Sequence, residues 1–293
     1  MRLADHELTQ IGFFVYNVPT SGRPRWPVPT NIEERNTNDM TKLVIFDMAG
    51  TIIDHGCFAP ISAFMQAFAS MGVEISVAEA RGPMGLHKRD HIQTLLEVPD
   101  IASRWETAQG RAWSADDVQH IYDTFMPLQI KVAREHVDII HGVLELFETL
   151  RNRDIKIAAT TGYPRVVADP VWEDLTAAGL AVDFRACSDE VPNGRPAPWL
   201  IFKCMQELNV QSVADVVKVG DTMPDVLAGL NAGVRSVAIT LTGNDVGLTY
   251  NELQALSEDE RTEKHESAKA IFLTGGATDV IRSAGELLQV LGG

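Results

Sequence analysis

The chain is expected to fold as a doubly wound α/β sheet with an all-helical block inserted after its first strand. Two observations lead there. Short apolar runs of strand character alternate with helical segments after Gly142, the mark of βα units feeding a parallel sheet. Between the first strand, which ends at Phe46, and about residue 135, the spacing of apolar residues is helical instead.

Leu43-Val44-Ile45-Phe46 is an unbroken apolar run that stops at Asp47, the form taken by a strand buried on both faces. Pro60 opens an amphipathic helix with Ile61, Phe64, Met65, Phe68 and Met71 on one face, and Gly72 closes it. Further helical pieces are expected at Ala78–Ala80, Asp90–Glu97 and Asp116–Arg134. The second half reads as strands at Ile155–Ala159, Val182–Phe184, Val216–Val219 and Val234–Ile239. Helices at Val143–Arg151, Pro164–Ala178, Pro198–Leu208 and Pro224–Ala232 lie around them. Residues 1–39 carry clustered prolines and a polar run with no sustained period, so a poorly ordered N-terminal arm is expected, and not a signal peptide. The expected domains are a core of 40–56 with 136–293 and a helical cap of 57–135.

Composition narrows the function. The 293 residues include 25 Lys and Arg against 40 Asp and Glu, a net charge of −15. That disfavours a nucleic-acid partner, and an anionic substrate would require local cations. No run of apolar residues is long enough for a membrane span. Three scattered cysteines with no Cys-x-x-Cys pair suggest a reducing, cytoplasmic setting.

Four segments fall at or just after expected strand ends or loops, where open parallel sheets place ligands. They are Asp47-Met48-Ala49-Gly50-Thr51, Thr160-Thr161-Gly162-Tyr163, Gly194-Arg195-Pro196 and Gly220-Asp221-Thr222-Met223-Pro224-Asp225. Together they offer a carboxylate nucleophile, a hydroxyl, an arginine and oxygen donors for a hard cation such as Mg²⁺. Singly, each has a plainer reading: Asp47 a turn residue, Asp225 a helix cap, Arg195 a surface ion-pair partner. Successive strand residues point to opposite faces, so only one of Thr160 and Thr161 faces the site. In order and placement the set resembles the haloacid dehalogenase superfamily, whose members form aspartyl-phosphate intermediates. The resemblance favours Thr161 and makes Asp225 an orienting neighbour of the metal site.

Phosphatases of that superfamily usually carry a second Asp where this chain has Ala49. That residue protonates the leaving group, and Ala49 has no proton to give. Lys88, within Arg81–His91, offers a different kind of help. A lysine in a helix is ordinarily a solvated charge. A lysine that forms an imine with a β-aldehyde, however, supplies the electron sink that heterolysis of a carbon–phosphorus bond needs. Its amine must be partly neutral, which calls for burial or a neighbouring cation.

Phe46–Thr51, Gly56-Cys57-Phe58-Ala59-Pro60, Met84–His91, Thr160–Tyr163, Gly194–Pro196 and Lys218–Thr222 together resemble the phosphonoacetaldehyde hydrolase (phosphonatase) family. The resemblance runs from about residue 42 toward the C-terminus. It implies a Rossmann-like core, a helical cap and a homodimer formed through the caps. It further implies Asp47 as nucleophile, Lys88 as Schiff-base lysine, and one Mg²⁺ on Asp47, the Ala49 carbonyl and Asp221. Thr161, Gly162 and Arg195 would bind the phosphoryl group. Cys57, Met84, His91 and Tyr163 match positions lining the family's site, with His91 placed to relay protons. Met48, Ile52, Ile53 and Pro164 depart from the family pattern without removing a catalytic group. The expected substrate is a small anionic phosphonate aldehyde. Two other readings stay open here: a Mg²⁺-dependent phosphatase for a small phosphate monoester, and a non-catalytic scaffold that kept the fold.

Overall fold

The computed structural model describes residues 41–291; the expected arm over 1–39 lies outside the described residues. Strand β1 (Leu43–Phe46) pairs in parallel with β2 (Lys156–Thr161) on one side and β4 (Val216–Gly220) on the other. β3 (Phe184–Cys187) extends the sheet beyond β2, while β5 (Arg235–Ile239) and β6 (Asp279–Ile281) extend it beyond β4. The order is β3-β2-β1-β4-β5-β6, with every pairing parallel.

Helices cover both faces, which is why β1 is apolar at every position. Val44 and Phe46 pack with α6 (Val143–Asn152) and α7 (Arg165–Ala177). Leu43 and Ile45 pack on the other face with α8 (Trp199–Glu207) and α9 (Met223–Ala232). Burying each such side chain contributes about 1.5–3 kcal/mol, so one polar substitution in β1 would weaken the layer that its side chain faces.

Five helices separate β1 from β2: α1 (Phe58–Ser70), α2 (Val77–Arg81), α3 (Lys88–Glu97), α4 (Pro99–Gln109) and α5 (Ala115–Glu135). They enclose an apolar cluster of their own, built from Phe64, Phe68, Ile92, Leu95, Trp105, Ile121 and Phe125. Phe64 stacks on Phe125 at 4.3 Å between centroids, tying α1 to α5. Trp113 packs against the same cluster.

Some boundaries differ from expectation. The expected strand Val182–Phe184 begins only at Phe184, because the Asp183 carboxylate accepts from Ile157 N and so stands in for a rung of the ladder. Helix α4 was not anticipated, although Pro99 in its first turn and a left-handed Gly110 at its end mark it. Beyond Ile239 the chain adds α10 (Tyr250–Ala255), α11 (Glu258–Thr274), β6 and α12 (Leu287–Leu291). The reason they escaped notice is compositional: α11 buries only His265, Ala268 and Phe272, and β6 has three residues. Among the described residues no helix is long and apolar enough to cross a membrane. Cys57, Cys187 and Cys204 are free and buried.

Candidate active site

The strand order reverses at β1, whose neighbours β2 and β4 lead to opposite edges of the sheet. A crevice at the C-terminal ends of the strands opens at such a reversal. Asp47 directly follows β1, Asp221 directly follows β4, and Asp225 stands in the first turn of α9. All three are buried, and their carboxylate oxygens come within 4.8 Å of one another.

Their partners differ. Asp221 accepts from Thr51 Oγ1 at 3.1 Å, Asn244 N at 2.9 Å and Cys57 Sγ at 3.4 Å. Burial, reinforced by repulsion from Asp47 and Asp225, pushes its carboxyl well above the usual range. Asp225 Oδ1 lies 2.8 Å from Lys218 Nζ and also contacts Arg195 Nη1, while Thr222 Oγ1 donates to Oδ2. Burial opposes its charge, but Arg195 and Lys218 more than offset that and hold Asp225 at about 2. Asp47 is raised because burial outweighs the attraction of Arg195. Arg195 Nη1 is 2.7 Å from Asp47 Oδ1, yet no hydrogen bond is directed at that oxygen.

These three carboxylates could hold a metal ion. Asp47 and Asp221 fit best: burial and mutual repulsion disfavour their charges, and Asp47 Oδ1, though ion-paired with Arg195, accepts no hydrogen bond, a donor set suited to a hard cation. Gly50 makes the approach feasible. Its φ is 78°, and a Cβ there would lie 2.3 Å from Asp221 Oδ2.

The helical insert supplies the opposite wall. Gly85, at φ 90°, lets the segment before α3 lie against the β4–α9 turn, where a Cβ would come within 2.4 Å of Thr222 Oγ1. Lys88 is the first residue of α3 and is buried, with Nζ 5.4 Å from the centre of the Phe64 ring and 5.6 Å from that of Tyr163. Burial, aided by the nearby Arg195 charge, lowers its amine to about 8. Burial also raises the Tyr163 hydroxyl well above its ordinary range.

Asp47, Ala49, Cys57, Met84, Lys88, Thr161, Gly162, Tyr163 and Arg195 line one small pocket of about 30 Å³. Thr161 belongs to this wall and accepts from Tyr163 N at 3.1 Å; Thr160 instead donates to Phe46 O inside the sheet. Gly162 lies against Arg195, where a Cβ would stand in ordinary contact 3.5 Å from Nη2. His91 is one turn along α3 from Lys88 but is not part of the pocket wall. Its Nε2 lies 3.0 Å from Ala80 O, which can only accept, so Nε2 carries the proton. The ring stacks on Phe64 at 3.9 Å, and Nδ1 is buried without a partner. Burial, then the Lys88 charge, keeps the ring neutral by lowering it well below its usual value.

The sequence motifs include Lys218 and Thr222 without assigning either a role, and they leave out Asn244. A lysine between valines in a central strand must be paired when buried, and that signal was available for Lys218. Asn244 follows β5, so the strand-end rule reached it, but no motif marked it.

The comparisons with known proteins agree with this geometry. Residues 41–233 match the family model for haloacid dehalogenase-like hydrolases. A phosphonoacetaldehyde hydrolase of Bacillus cereus is 40% identical over 248 residues, covering 85% of this chain and 94% of that protein. One from Paraburkholderia phytofirmans is 38% identical over 250 residues, with the same coverage of 85% and 94%. A crystal structure of a phosphonoacetaldehyde hydrolase-like protein from Oleispira antarctica superposes with a TM-score of 0.84 at 35% identity, covering 86% of this chain and 91% of that one. With the Asp47 carboxylate, the arginine and the insert lysine in one pocket, the chain belongs to the phosphonoacetaldehyde hydrolase family of haloacid dehalogenase-like hydrolases.

Proposed function

We propose that this protein hydrolyses the carbon–phosphorus bond of phosphonoacetaldehyde to acetaldehyde and phosphate. One observation carries the reading: a buried lysine with an amine near 8 shares a pocket with Asp47 and Arg195, while Ala49 occupies the position of the usual acid. The neutral Lys88 amine adds to the aldehyde carbon, and loss of water leaves a protonated imine. Arg195 and Thr161 hold the phosphonate oxygens. Asp47 attacks phosphorus, the carbon–phosphorus bond breaks, and its electron pair enters the imine to form an enamine. The phosphoryl group is then on Asp47. Protonation of the enamine at carbon and hydrolysis of the imine release acetaldehyde and free Lys88. A second water releases phosphate from Asp47.

Mg²⁺ held by Asp47, the Ala49 carbonyl and Asp221 would offset the negative charge of the incoming phosphonate. Asp225 would act one step removed, by fixing Arg195. A proton relay through His91 would use Nδ1, because Nε2 is engaged by Ala80. Cys57, Met84 and Tyr163 would form the substrate wall. Residues 57–135 would serve as the cap and 40–56 with 136–293 as the core. Pairing of two chains through the caps belongs to the same proposal, supported by the groove along α1 lined by Phe58, Ile61 and Met65 beside Tyr250. A cytoplasmic setting is supported by the three free thiols.

The deciding experiment measures acetaldehyde and phosphate from phosphonoacetaldehyde, with borohydride added in a parallel reaction. Reduced adduct at Lys88 in the wild type, and no turnover by Lys88→Ala, is the expected result. Turnover with no adduct at Lys88 would overturn the imine mechanism. Hydrolysis of phosphate monoesters that survives Lys88→Ala would favour an ordinary phosphatase.

A further inference from the structure

Arg81 ends α2, in the helical insert, and reaches out of it into the core. Its Nη1 donates to Gly56 O at 2.5 Å and to Asn244 O at 3.3 Å, with Asn244 Oδ1 at 3.4 Å. Nη2 donates to Gly247 O at 3.2 Å, and the guanidinium carbon lies 4.8 Å from the Phe58 ring centre. Each of these acceptors is a carbonyl oxygen. A planar fork spreads its donors over separate nitrogens and so reaches carbonyls on two segments at once, whereas a lysine presents its three donors from a single nitrogen.

The loop Arg81 grips is the same loop that seats Asp221. Asn244 N donates to Asp221 Oδ2 at 2.9 Å, and a Cβ on Gly243 would fall 2.6 Å from Asp221 Cβ. Thr242 joins it to the turn after β1, through Oγ1 to Gly50 O at 2.7 Å and through its carbonyl, which accepts from Gly56 N at 2.8 Å. On its other side, Arg81 is joined to Lys88 only by the short segment Gly82–His87. We infer that Arg81 is a positioning residue that couples the two halves of the site: the clamp that docks the insert, and with it Lys88, also fixes the 242–247 loop against Asp221. Without the guanidinium, three backbone carbonyls lose this donor, and the insert loses its direct hold on the 242–247 loop.

The test compares Arg81→Ala, Arg81→Lys and Gly247→Ala with Arg104→Ala. Gly247→Ala attacks the clamp from the core side, since its φ is 62° and a Cβ would lie 2.8 Å from the Arg81 guanidinium carbon. Arg104 anchors the other face of α2 through Glu79 and the Glu74 carbonyl, so it controls for loosening of the insert alone. Amide exchange should quicken about ten-fold or more in both 242–247 and 84–88 for Arg81→Ala and Gly247→Ala, the scale of a lost charged hydrogen bond. Arg104→Ala should leave 242–247 unchanged. The kinetic arm rests on the function proposed above: KM for phosphonoacetaldehyde should rise about ten-fold with a smaller change in kcat. Added guanidinium ion should partly restore KM in Arg81→Ala, whereas Arg81→Lys should not match wild type. Faster exchange confined to α2, or equal effects from Arg104→Ala, would overturn the inference. A wild type that does not hydrolyse phosphonoacetaldehyde would sink the proposed substrate, and the exchange pattern would still decide the clamp.

Discussion

Arg195 Nη1 stands 2.7 Å from Asp47 Oδ1 and also contacts Asp225 Oδ1, so one guanidinium joins the end of β1 to the first turn of α9. Burial opposes the Arg195 charge, but Asp225 and Asp47 outweigh it and hold the group ionised. Arg195→Ala therefore leaves two buried carboxylates short of a cation. Expected are a stability loss of about 3–5 kcal/mol by chemical denaturation and a kcat loss of roughly 10²–10³. A variant with wild-type stability would show that the pair contributes little to the fold.

Lys88 should govern the acid side of the pH profile. Its amine is lowered to about 8 by burial and by Arg195, so the neutral, nucleophilic form grows as pH rises toward that value. Borohydride trapping should increase about ten-fold per unit below pH 7 and level off above 9. Mass spectrometry of the adduct across pH checks this; a flat profile from 6 to 9 would contradict it.

The same lowered value costs stability. In the folded state the amine gives up its proton near 8, against roughly 10.4 when unfolded. Between those values the unfolded chain binds more protons, so this residue's contribution to stability improves as pH rises through the window. Below it, the charge is held against burial. Lys88→Met should therefore abolish turnover and yet gain on the order of 1–3 kcal/mol at neutral pH. A lower melting temperature for that variant would refute the argument.

Ala49 lines the pocket beside Asp47. Ala49→Asp adds a carboxylate that favours the charged amine of Lys88. The trapping profile should move to higher pH and turnover at pH 7 should fall. An unmoved profile would mean that the new carboxylate is screened from Lys88.

Gly50→Ala should act on the cation site. The new Cβ would press on Asp221 Oδ2 at 2.3 Å and on Cys57 Sγ at 2.9 Å. Mg²⁺ affinity measured by calorimetry should weaken about 10–100-fold. Unchanged affinity would argue against Asp221 as a ligand.

Much of this was legible in the linear chain because its signals are local. The apolar run before Asp47, the alternation after Gly142 and the helical spacing from Pro60 are set by neighbours in sequence, and they determined the α/β core and its insert. Motif order did the same for Asp47, Arg195 and Lys88, which all line one pocket, and for Asp221, whose carboxylate lies beside that of Asp47. The sparse apolar content after Ile239 hid the sixth strand and α11, which are held by packing against elements formed elsewhere.

The tertiary structure alone decided how those residues meet. It placed Lys88 over Tyr163, turned Thr161 rather than Thr160 to the pocket, and filled the oxygens of Asp225 with Lys218, Arg195 and Thr222. It also brought Asn244 to Asp221, and Arg81 to the same loop. The physical reason is that these contacts join segments far apart in the chain, and the charges depend on burial. By sequence alone, Lys88 is a helix lysine beside an uncommon motif; its burial near Arg195 is what lowers its amine into the range where it can act.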